Sequence, residues 1–459
     1  MTSKIRTLTG ITTTGTPHLG NYVGAIRPAI AASRRDDVES FYFLADYHAL
    51  VKCEDPQRVA QSRLEIAATW LALGLDTDRA FFYRQSDIVE IPELTWLLTC
   101  VTAKGLLNRA HAYKAAVDRN KTQEEIDDDA GITAGLFMYP VLMAADILVF
   151  NAHRVPVGRD QIQHIEMARD IAQRFNHIYG DAYRHATGGD ALPFVLPEAV
   201  IEDSVATLPG LDGRKMSKSY NNTIPLWLSP NDLNKAILGI VTDSRAPGEA
   251  KDTEGSSIFA IYQAFASAEE TAAMREAFAD GIAWGDAKQK LFERIDIELA
   301  SPRERYNSLM QTPDEIEQRL LVGARKARER SAPLLAALRE AVGLGRLGNR
   351  GVDPGGTAVV GATATDALAV ARPQLKSYRE ADGKFYFKLV DGDGIVLLQS
   401  RGFDSPKESG KCVAAMVAAG GAFDLSGLAA DAQVLVEVEH VRAALAVLKA
   451  DKDAKKDKA

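Results

Sequence analysis

Apolar positions in the first third of the chain switch between two periods. Runs that read as strands, residues 4–9 (KIRTLT), 40–46 (SFYFLAD) and 80–84 (AFFYR), alternate with helix-period stretches at 21–32 and 56–73. The 40–46 run is nearly continuous in apolar residues, as strands covered on both faces are. Asp55-Pro56 supplies an N-cap followed by proline at the first helical position, and Gly74 stands where a helix end favours glycine. Strand, helix, strand repeats predict a parallel sheet sheathed by helices, with ligand-binding loops at its carboxyl edge. Further along, the polar acidic stretch 118–129 predicts a surface loop or a solvated helix. Residues 135–150 (GLFMYPVLMAADILVF) predict a buried helix, 154–157 a strand and 160–175 a helix. Another strand is expected near 205–208, ahead of a loop rich in glycine and lysine. From 229 to 344 the period is helical almost throughout, which predicts a separate α-helical part.

The pattern changes again after a Gly-rich stretch, 343–356, that reads as the start of a linker. Residues 384–390 (KFYFKLV) and 395–400 flank a DGDG turn at 391–394, a hairpin signal because glycine supplies positive φ between β-rich runs. Ser405-Pro406 predicts the start of a helix to about residue 418, followed by a strand at 433–438, a helix at 440–449 and a charged tail at 451–459. With 459 residues the chain is long enough for about three domains. The expected fold class is α/β: a Rossmann-like parallel-sheet domain (1–228, its last helices drawn from later residues), a helical region (229–345), a linker (346–372) and a small α+β accessory domain (373–450).

Composition narrows the function classes. A chain that is 46% hydrophobic and 25% charged is globular, not collagen-like or wholly disordered. No apolar run approaches the roughly 20 residues of a membrane span, and residues 1–10 lack a hydrophobic signal core, so no membrane association and a cytoplasmic location are expected. Cys53, Cys100 and Cys412 stand far apart, which predicts neither a disulfide framework nor a cysteine-rich metal site. A net charge of -8 argues against a bulk basic coat, so any polyanion must meet a local basic patch. Residues 303–350 hold ten Lys/Arg against six Asp/Glu, with Arg325, Lys326, Arg328 and Arg330 clustered. Charge alone leaves two readings of that cluster open, phosphate tracking and a solvated, salt-bridged helix face.

Two loop motifs carry the chemistry. Lys215-Met216-Ser217-Lys218-Ser219 places two lysines and two serines on a loop after a strand, the positive charge and hydroxyl donors that a departing pyrophosphate needs. About 200 residues upstream, Pro17-His18-Leu19-Gly20-Asn21 lies between the first strand and its helix. There Gly20 lets a phosphate approach the backbone, the helix start offers N–H groups, and His18 adds a donor. Either motif alone has a structural explanation, a lysine loop or a helix cap. On the predicted 135–150 helix, Tyr139, Met143 and Asp146 fall on one face. A core stripe covers the first two; Asp146 would be a buried carboxylate in need of a partner, and a large apolar ligand with one N–H donor would supply it.

Together the two motifs resemble the paired signatures of class I aminoacyl-tRNA synthetases, and YPVLMAADILVF followed by VPVGRDQIQHIEMARDIAQRF resembles the tryptophanyl branch more than the tyrosyl one. The resemblance spans roughly residues 4–345. It implies ATP-dependent joining of L-tryptophan to tRNA(Trp) through a tryptophanyl-adenylate, with AMP and pyrophosphate released. It also implies Mg²⁺ carried on ATP with no protein metal site, and a homodimer. His18, Lys215 and Lys218 are implied as catalytic. Thr12, Thr13, Thr14, Gly20, Asn21, Gly158, Arg159, Asp160, Leu208, Lys215, Met216, Ser217, Lys218 and Ser219 match ATP-binding positions. Asp146 is implied to accept the indole N–H, with Tyr139, Met143, His48, Val155, Val157 and Gln161 around the side chain; the 229–345 region is implied to bind the anticodon.

Thr12-Thr13-Thr14 departs from the Gln-Pro-Ser of many relatives, and Tyr220-Asn221 follows KMSKS where relatives often have Asp. Residues 383–417 resemble a family of small bacterial β-β-β-α domains, in which Phe385, Phe387 and Cys412 are expected as core residues. A tyrosyl-tRNA synthetase and a non-catalytic, synthetase-like binding or regulatory protein are the competing readings.

Overall fold

The computed structural model describes residues 4–13, 16–122, 127–201, 208–345, 372–380, 382–391, 395–425, 433–434 and 438–456. Thr14, most of the expected 205–208 strand, nearly all of the linker and most of the DGDG turn lie outside the described residues. The chain divides into two compact units, Met1–Leu347 and Gly348–Ala459.

The first unit is Rossmann-like. Strands β1 (Ile5–Thr12), β2 (Val38–Ala45), β3 (Phe81–Arg84), β4 (Arg154–Val157) and β5 (Glu198–Ile201) form a parallel sheet in the order β3-β2-β1-β4-β5. β1 and β2 pair in unbroken register from Ile5↔Val38 to Thr12↔Ala45. β2 explains its own continuous apolar run: Phe41 and Phe43 enter one buried cluster, Tyr42 and Leu44 the other, so both faces of the strand are covered. The chain builds outward from β1 in both directions, and the carboxyl end of β1 is therefore the switch point at which open α/β sheets bind ligands.

Element boundaries follow local chemistry. Asp55 Oδ1 accepts from Gln57 N at 2.9 Å and caps the Pro56–Ala72 helix, while Gly74 takes φ +92° beyond its end. The Ile162–Thr187 helix runs three turns past the expected 175, because nothing breaks its apolar period before Gly188, which closes it at φ +67°. The fifth strand, Glu198–Ile201, is one the sequence reading did not place.

The 229–344 region is helical as expected, with long helices Trp284–Gln311 and Pro313–Ala341, but it is not a separate part. The Pro313–Ala341 helix lies directly on β3: a Cβ at Gly323 would sit 1.8 Å from the Phe82 carbonyl oxygen. Arg84 grips Glu317 of the same helix with both guanidinium nitrogens, at 2.6 and 2.7 Å. Three members of the basic cluster of this helix have partners elsewhere in the unit, although the Arg330 side chain stays 60% exposed. Arg328 pairs with Glu90 (3.2 Å), Arg330 with Glu39 (2.9 Å), and Lys326 donates to the Thr77 carbonyl (3.3 Å). Of the two readings of that charge, the salt-bridged helix face is the one observed for Arg328 and Arg330.

The second unit is an antiparallel sheet, β6 (Gln374–Arg379), β7 (Phe385–Val390), β8 (Val396–Gln399) and β9 (Gln433–Val434), with helices Pro406–Ala419 and Val438–Lys456. β6 has no counterpart in the sequence reading: its residues QLKSYR alternate too weakly to announce a strand, and pairing with β7 along its whole length supplies what the pattern lacks. The last helix continues to Lys456, so residues 451–456 are helical and not a frayed tail.

Candidate active site

The loop after β1 turns straight into a helix. His18 caps that helix: its Nδ1 accepts from Asn21 N at 3.3 Å, and Asn21 Oδ1 accepts from His18 N at 3.1 Å. The cap fixes the imidazole's tautomer, since a ring nitrogen that accepts leaves the proton on Nε2. Burial, with the nearby Lys218 ammonium second, holds the His18 imidazolium down to a pKa of about 4, so the ring is neutral at physiological pH. Gly20 is required here, because a Cβ would lie 3.0 Å from His18 Nδ1 and 3.5 Å from Met216 Sδ.

The segment that follows the KMSKS loop is sewn onto this turn. Leu19 N donates to Ile224 O and Leu226 N to Pro17 O, each at 3.0 Å, and Met216 is buried with its sulfur beside Gly20. Met216 N donates to Leu208 O at 2.8 Å, which places buried Leu208 under the loop. Ser217 and Ser219 hydroxyls lie 2.8 Å apart, and Lys215, Lys218 and Ser219 are exposed. The loop's internal staple is Asn222, a residue the sequence did not single out. Its Oδ1 accepts from Ser217 N (2.8 Å), and its Nδ2 donates to Asp212 (2.6 Å) and Lys215 O (3.1 Å). Gly210 makes room for it, since a Cβ there would sit 2.4 Å from Asn222 Cγ. Burial lowers the pKa of the Lys218 ammonium, and Arg58 lowers it further against an opposing pull from Glu65.

Of the other expected ATP positions, Thr13 is buried and donates to Ala45 O at 3.5 Å, tying the ends of β1 and β2. Thr12 ends β1, and Gly158 and Arg159 follow β4, where residues 159–161 make a single 3₁₀ turn. All of these stand at the carboxyl edge of the sheet around the switch point.

Deeper in, Asp146 is 1% exposed on the Ala134–Leu148 helix. Its partners come from the protein itself: His48 Nε2 at 2.9 Å and Gln85 Nε2 at 2.8 and 3.0 Å. The sequence expected a ligand N–H as the partner of Asp146; besides any ligand, the protein supplies Gln85, a wholly buried residue just past β3 that also accepts from Tyr47 N at 3.0 Å. Burial pushes the Asp146 carboxyl above the usual carboxylate range, while the His48 and Gln85 hydrogen bonds pull it back. An ionised carboxylate has about four acceptor sites, so three bonds leave capacity for a further donor.

Tyr139, one turn before Met143 on the same helix, bonds through its hydroxyl to His164 Nε2, and His164 Nδ1 meets Gln161 Oε1 at 3.0 Å. The His48 and Tyr139 rings meet edge to face at 6.3 Å. His48, Asp146, Tyr139 and Gln161 are thus drawn together through Gln85 and His164, two buried polar residues that the sequence reading missed. Their only sequence signal is polarity inside an apolar setting. Val155 is buried in the core, and Met143 and Val157 pack beside it half-buried.

The family described as tRNA synthetases class I (W and Y) matches residues 1–300. The chain is 63% identical over 415 residues to a tryptophan–tRNA ligase of Xanthomonas campestris, covering 90% of this chain and 92% of that one. It is 62% identical over 410 residues to a tryptophan–tRNA ligase of Pseudomonas aeruginosa, covering 89% and 87%. Among solved structures, it is similar to tryptophanyl-tRNA synthetase from Campylobacter jejuni complexed with ADP and tryptophan, with a TM-score of 0.66 and 39% identity over 74% of this chain and 100% of that one.

Proposed function

The chain belongs to the class I tRNA synthetases that serve tryptophan and tyrosine, and from that footing we propose how its residues divide the work. It catalyses ATP-dependent attachment of L-tryptophan to tRNA(Trp) through tryptophanyl-adenylate, releasing AMP and pyrophosphate. In the proposed assignment no protein nucleophile takes part. The tryptophan carboxylate attacks the α-phosphorus of ATP, and the protein contributes position and charge. His18, neutral and with its proton on Nε2, donates to a phosphate oxygen. Lys215 and Lys218 stabilise the charge that grows on pyrophosphate. Thr12 to Thr14, Gly20, Asn21, residues 158–160 and the Leu208–Ser219 segment cradle ATP. Mg²⁺ arrives on the ATP phosphates and would neutralise part of their charge; among the described residues no group of three His, Cys, Asp or Glu side chains is placed to hold a metal. The tRNA's terminal adenosine then attacks the adenylate carbonyl through its 2′-hydroxyl.

Asp146, held by Gln85 and His48, accepts the indole N–H, and Tyr139, Met143, Val155, Val157 and Gln161 shape the space around the ring. A buried acceptor of this kind rejects a ligand lacking the donor by about 10⁴ to 10⁵. The observation that carries the assignment is the joining of the two loops, with His18 and Met216 packed about Gly20 at the end of β1. ATP–pyrophosphate exchange with tryptophan and tyrosine side by side tests it. Exchange with tryptophan alone is expected, and comparable exchange with tyrosine would refute the indole assignment.

The 229–345 region is assigned to the anticodon, by residues other than Lys326, Arg328 and Arg330, which already have partners within the unit. A homodimer is the proposed assembly. In support, the Glu90–Val101 and Ala134–Leu148 helices flank an open apolar groove of about 920 Å³ lined by Leu50, Pro92, Met138 and Leu142, and Trp96 on the first of them is 66% exposed. Sedimentation of the Trp96→Glu variant is expected to show loss of dimer. No helix among the described residues is long and apolar enough to cross a membrane, and the cytoplasm is the proposed location.

A further inference from the structure

Phe387, Leu389 and Leu398 are buried on the face of the second unit's sheet that meets its helices. On the opposite face the register sets Lys376 directly across from Lys388 and Tyr378 directly across from Tyr386. The two tyrosine rings are stacked, with centroids 5.7 Å apart and planes at 22°, and the Lys388 ammonium stands 5.6 Å from the Tyr378 ring centre. Beside them Lys384, Tyr386, Gln399 and Arg401, together with Asp382, line a recess of about 390 Å³. Gly402 creates that closeness, since a Cβ there would lie 2.8 Å from both Lys384 Cδ and the Tyr386 hydroxyl. Two carboxylates, Glu380 and Asp382, stand at the β6–β7 turn, where Asp382 accepts from the Tyr386 hydroxyl at 2.7 Å, and a third, Asp404, lies 4.0 Å from the Lys384 ammonium.

Like charges directly opposite on a ladder destabilise a sheet. Here two lysines occupy one rung in a chain of net charge -8, where acidic or neutral residues would relieve the repulsion. An anion shared between them removes the same cost. Aromatic rings beside spaced cations on an antiparallel sheet hold unstacked nucleotides, with bases on the rings and phosphates on the cations. We propose that this face binds a single-stranded segment of tRNA, with one or two bases on Tyr378 and Tyr386 and phosphates at Lys376, Lys388, Lys384 and Arg401. The choice of tRNA rests on the charging reaction above, which brings that RNA to the protein.

The test is steady-state aminoacylation of tRNA(Trp) by the full-length chain and its variants, with ATP–pyrophosphate exchange run in parallel. Tyr378→Ala is expected to raise the KM for tRNA about tenfold, within the usual worth of one base stacked on an aromatic ring. Lys376→Glu is the sharper probe, because it replaces a repelling pair by an attracting one. It should raise the KM for tRNA while leaving the protein's melting temperature unchanged or higher, which separates lost binding from lost folding. Pyrophosphate exchange, which needs no tRNA, stays at the wild-type rate in both. Lys376→Ala combined with Lys388→Ala lowers the slope of log affinity against log salt by about 1 to 2.

A KM for tRNA within twofold of wild type in both Tyr378→Ala and Lys376→Glu overturns the proposal. So does a loss seen only with a generic single-stranded oligonucleotide. A wild-type chain that exchanges pyrophosphate but fails to charge tRNA(Trp) overturns the charging reading and this proposal together, whereas normal charging with unaltered variants overturns the face alone.

Discussion

The two ends of the site are built in opposite ways. At the proposed phosphate end, the segments that carry two contiguous motifs are joined by main-chain hydrogen bonds between residues 17–19 and 224–226, and Lys215 and Lys218 are exposed. At the proposed indole end, single side chains from separate segments, His48, Gln85, Tyr139, Asp146, Gln161 and His164, converge around a carboxylate 1% exposed. The difference matches the tasks. A polyphosphate is large, hydrated and leaves during the reaction, so it suits mobile cations. A ring must be recognised by one N–H, so it suits a fixed acceptor removed from water. The phosphate end is therefore expected to show itself in kcat and the indole end in KM and selectivity.

The largest effects should come from the lysines. Lys215→Ala or Lys218→Ala is expected to lower kcat for ATP–pyrophosphate exchange by about 10² to 10³, the usual loss for a group that stabilises transition-state charge, with the KM for tryptophan within about twofold. A change confined to KM would erase the contrast. Asp146→Ala comes next. Removing the charged acceptor is expected to reduce kcat/KM for tryptophan about 10- to 100-fold and to narrow the preference over phenylalanine, measured by exchange with each amino acid. Unchanged selectivity would move indole recognition elsewhere.

What the sequence disclosed divides along the same line. The HLGN and KMSKS motifs were legible because their function sits in adjacent residues, and β4 at Arg154–Val157 was found at its true bounds because Arg154 and Gly158 punctuate an apolar run. Asp146 was legible only as a puzzle, a carboxylate inside a buried helix. Gln85, its partner from 61 positions away, was not legible, because contacts across the sheet leave no mark in local spacing. The same limit left Arg328 and Arg330 with two readings, a phosphate track or a salt-bridged helix face, because their partners Glu90 and Glu39 lie more than 200 positions away. In the second unit, β6 escaped because an exposed edge strand with lysine and serine carries little apolar alternation.

Two supporting residues sharpen the contrast with smaller effects. Gln85→Leu removes a donor from Asp146 without touching the phosphate loops, and Asn222→Ala unpins KMSKS without touching the indole pocket. Leaving a buried group unpaired costs roughly 1–3 kcal/mol. Each substitution is therefore expected to change its own parameter by about tenfold: the KM for tryptophan in Gln85→Leu, and kcat for exchange in Asn222→Ala. A variant that moves both parameters equally would mean that the two ends act as one unit.

The smallest expected effect is a flat line. A histidine of ordinary pKa, about 6.5, changes charge across the physiological range. His18 folds with its pKa held down to about 4 by burial and by Lys218, so its imidazole stays neutral from pH 8 to below pH 5.5. Its nitrogen chemical shifts in a ¹⁵N titration should hold still over that range and move only near 4. The same shift fixes the sign of its effect on stability. Above pH 6.5 the residue is neutral both folded and unfolded, and its full contribution is present. As pH falls from 6.5 towards 4 only the unfolded chain takes up the proton, and stability is lost across that window. His18→Gln, which cannot take the proton, should reduce the fall in melting temperature between pH 7 and pH 4.5. A midpoint near 6.5 in the titration would instead mean that neither burial nor Lys218 holds the ring neutral, and His18 would then gain charge as pH falls below 6.5, no longer the fixed neutral donor that the Asn21 cap holds in place.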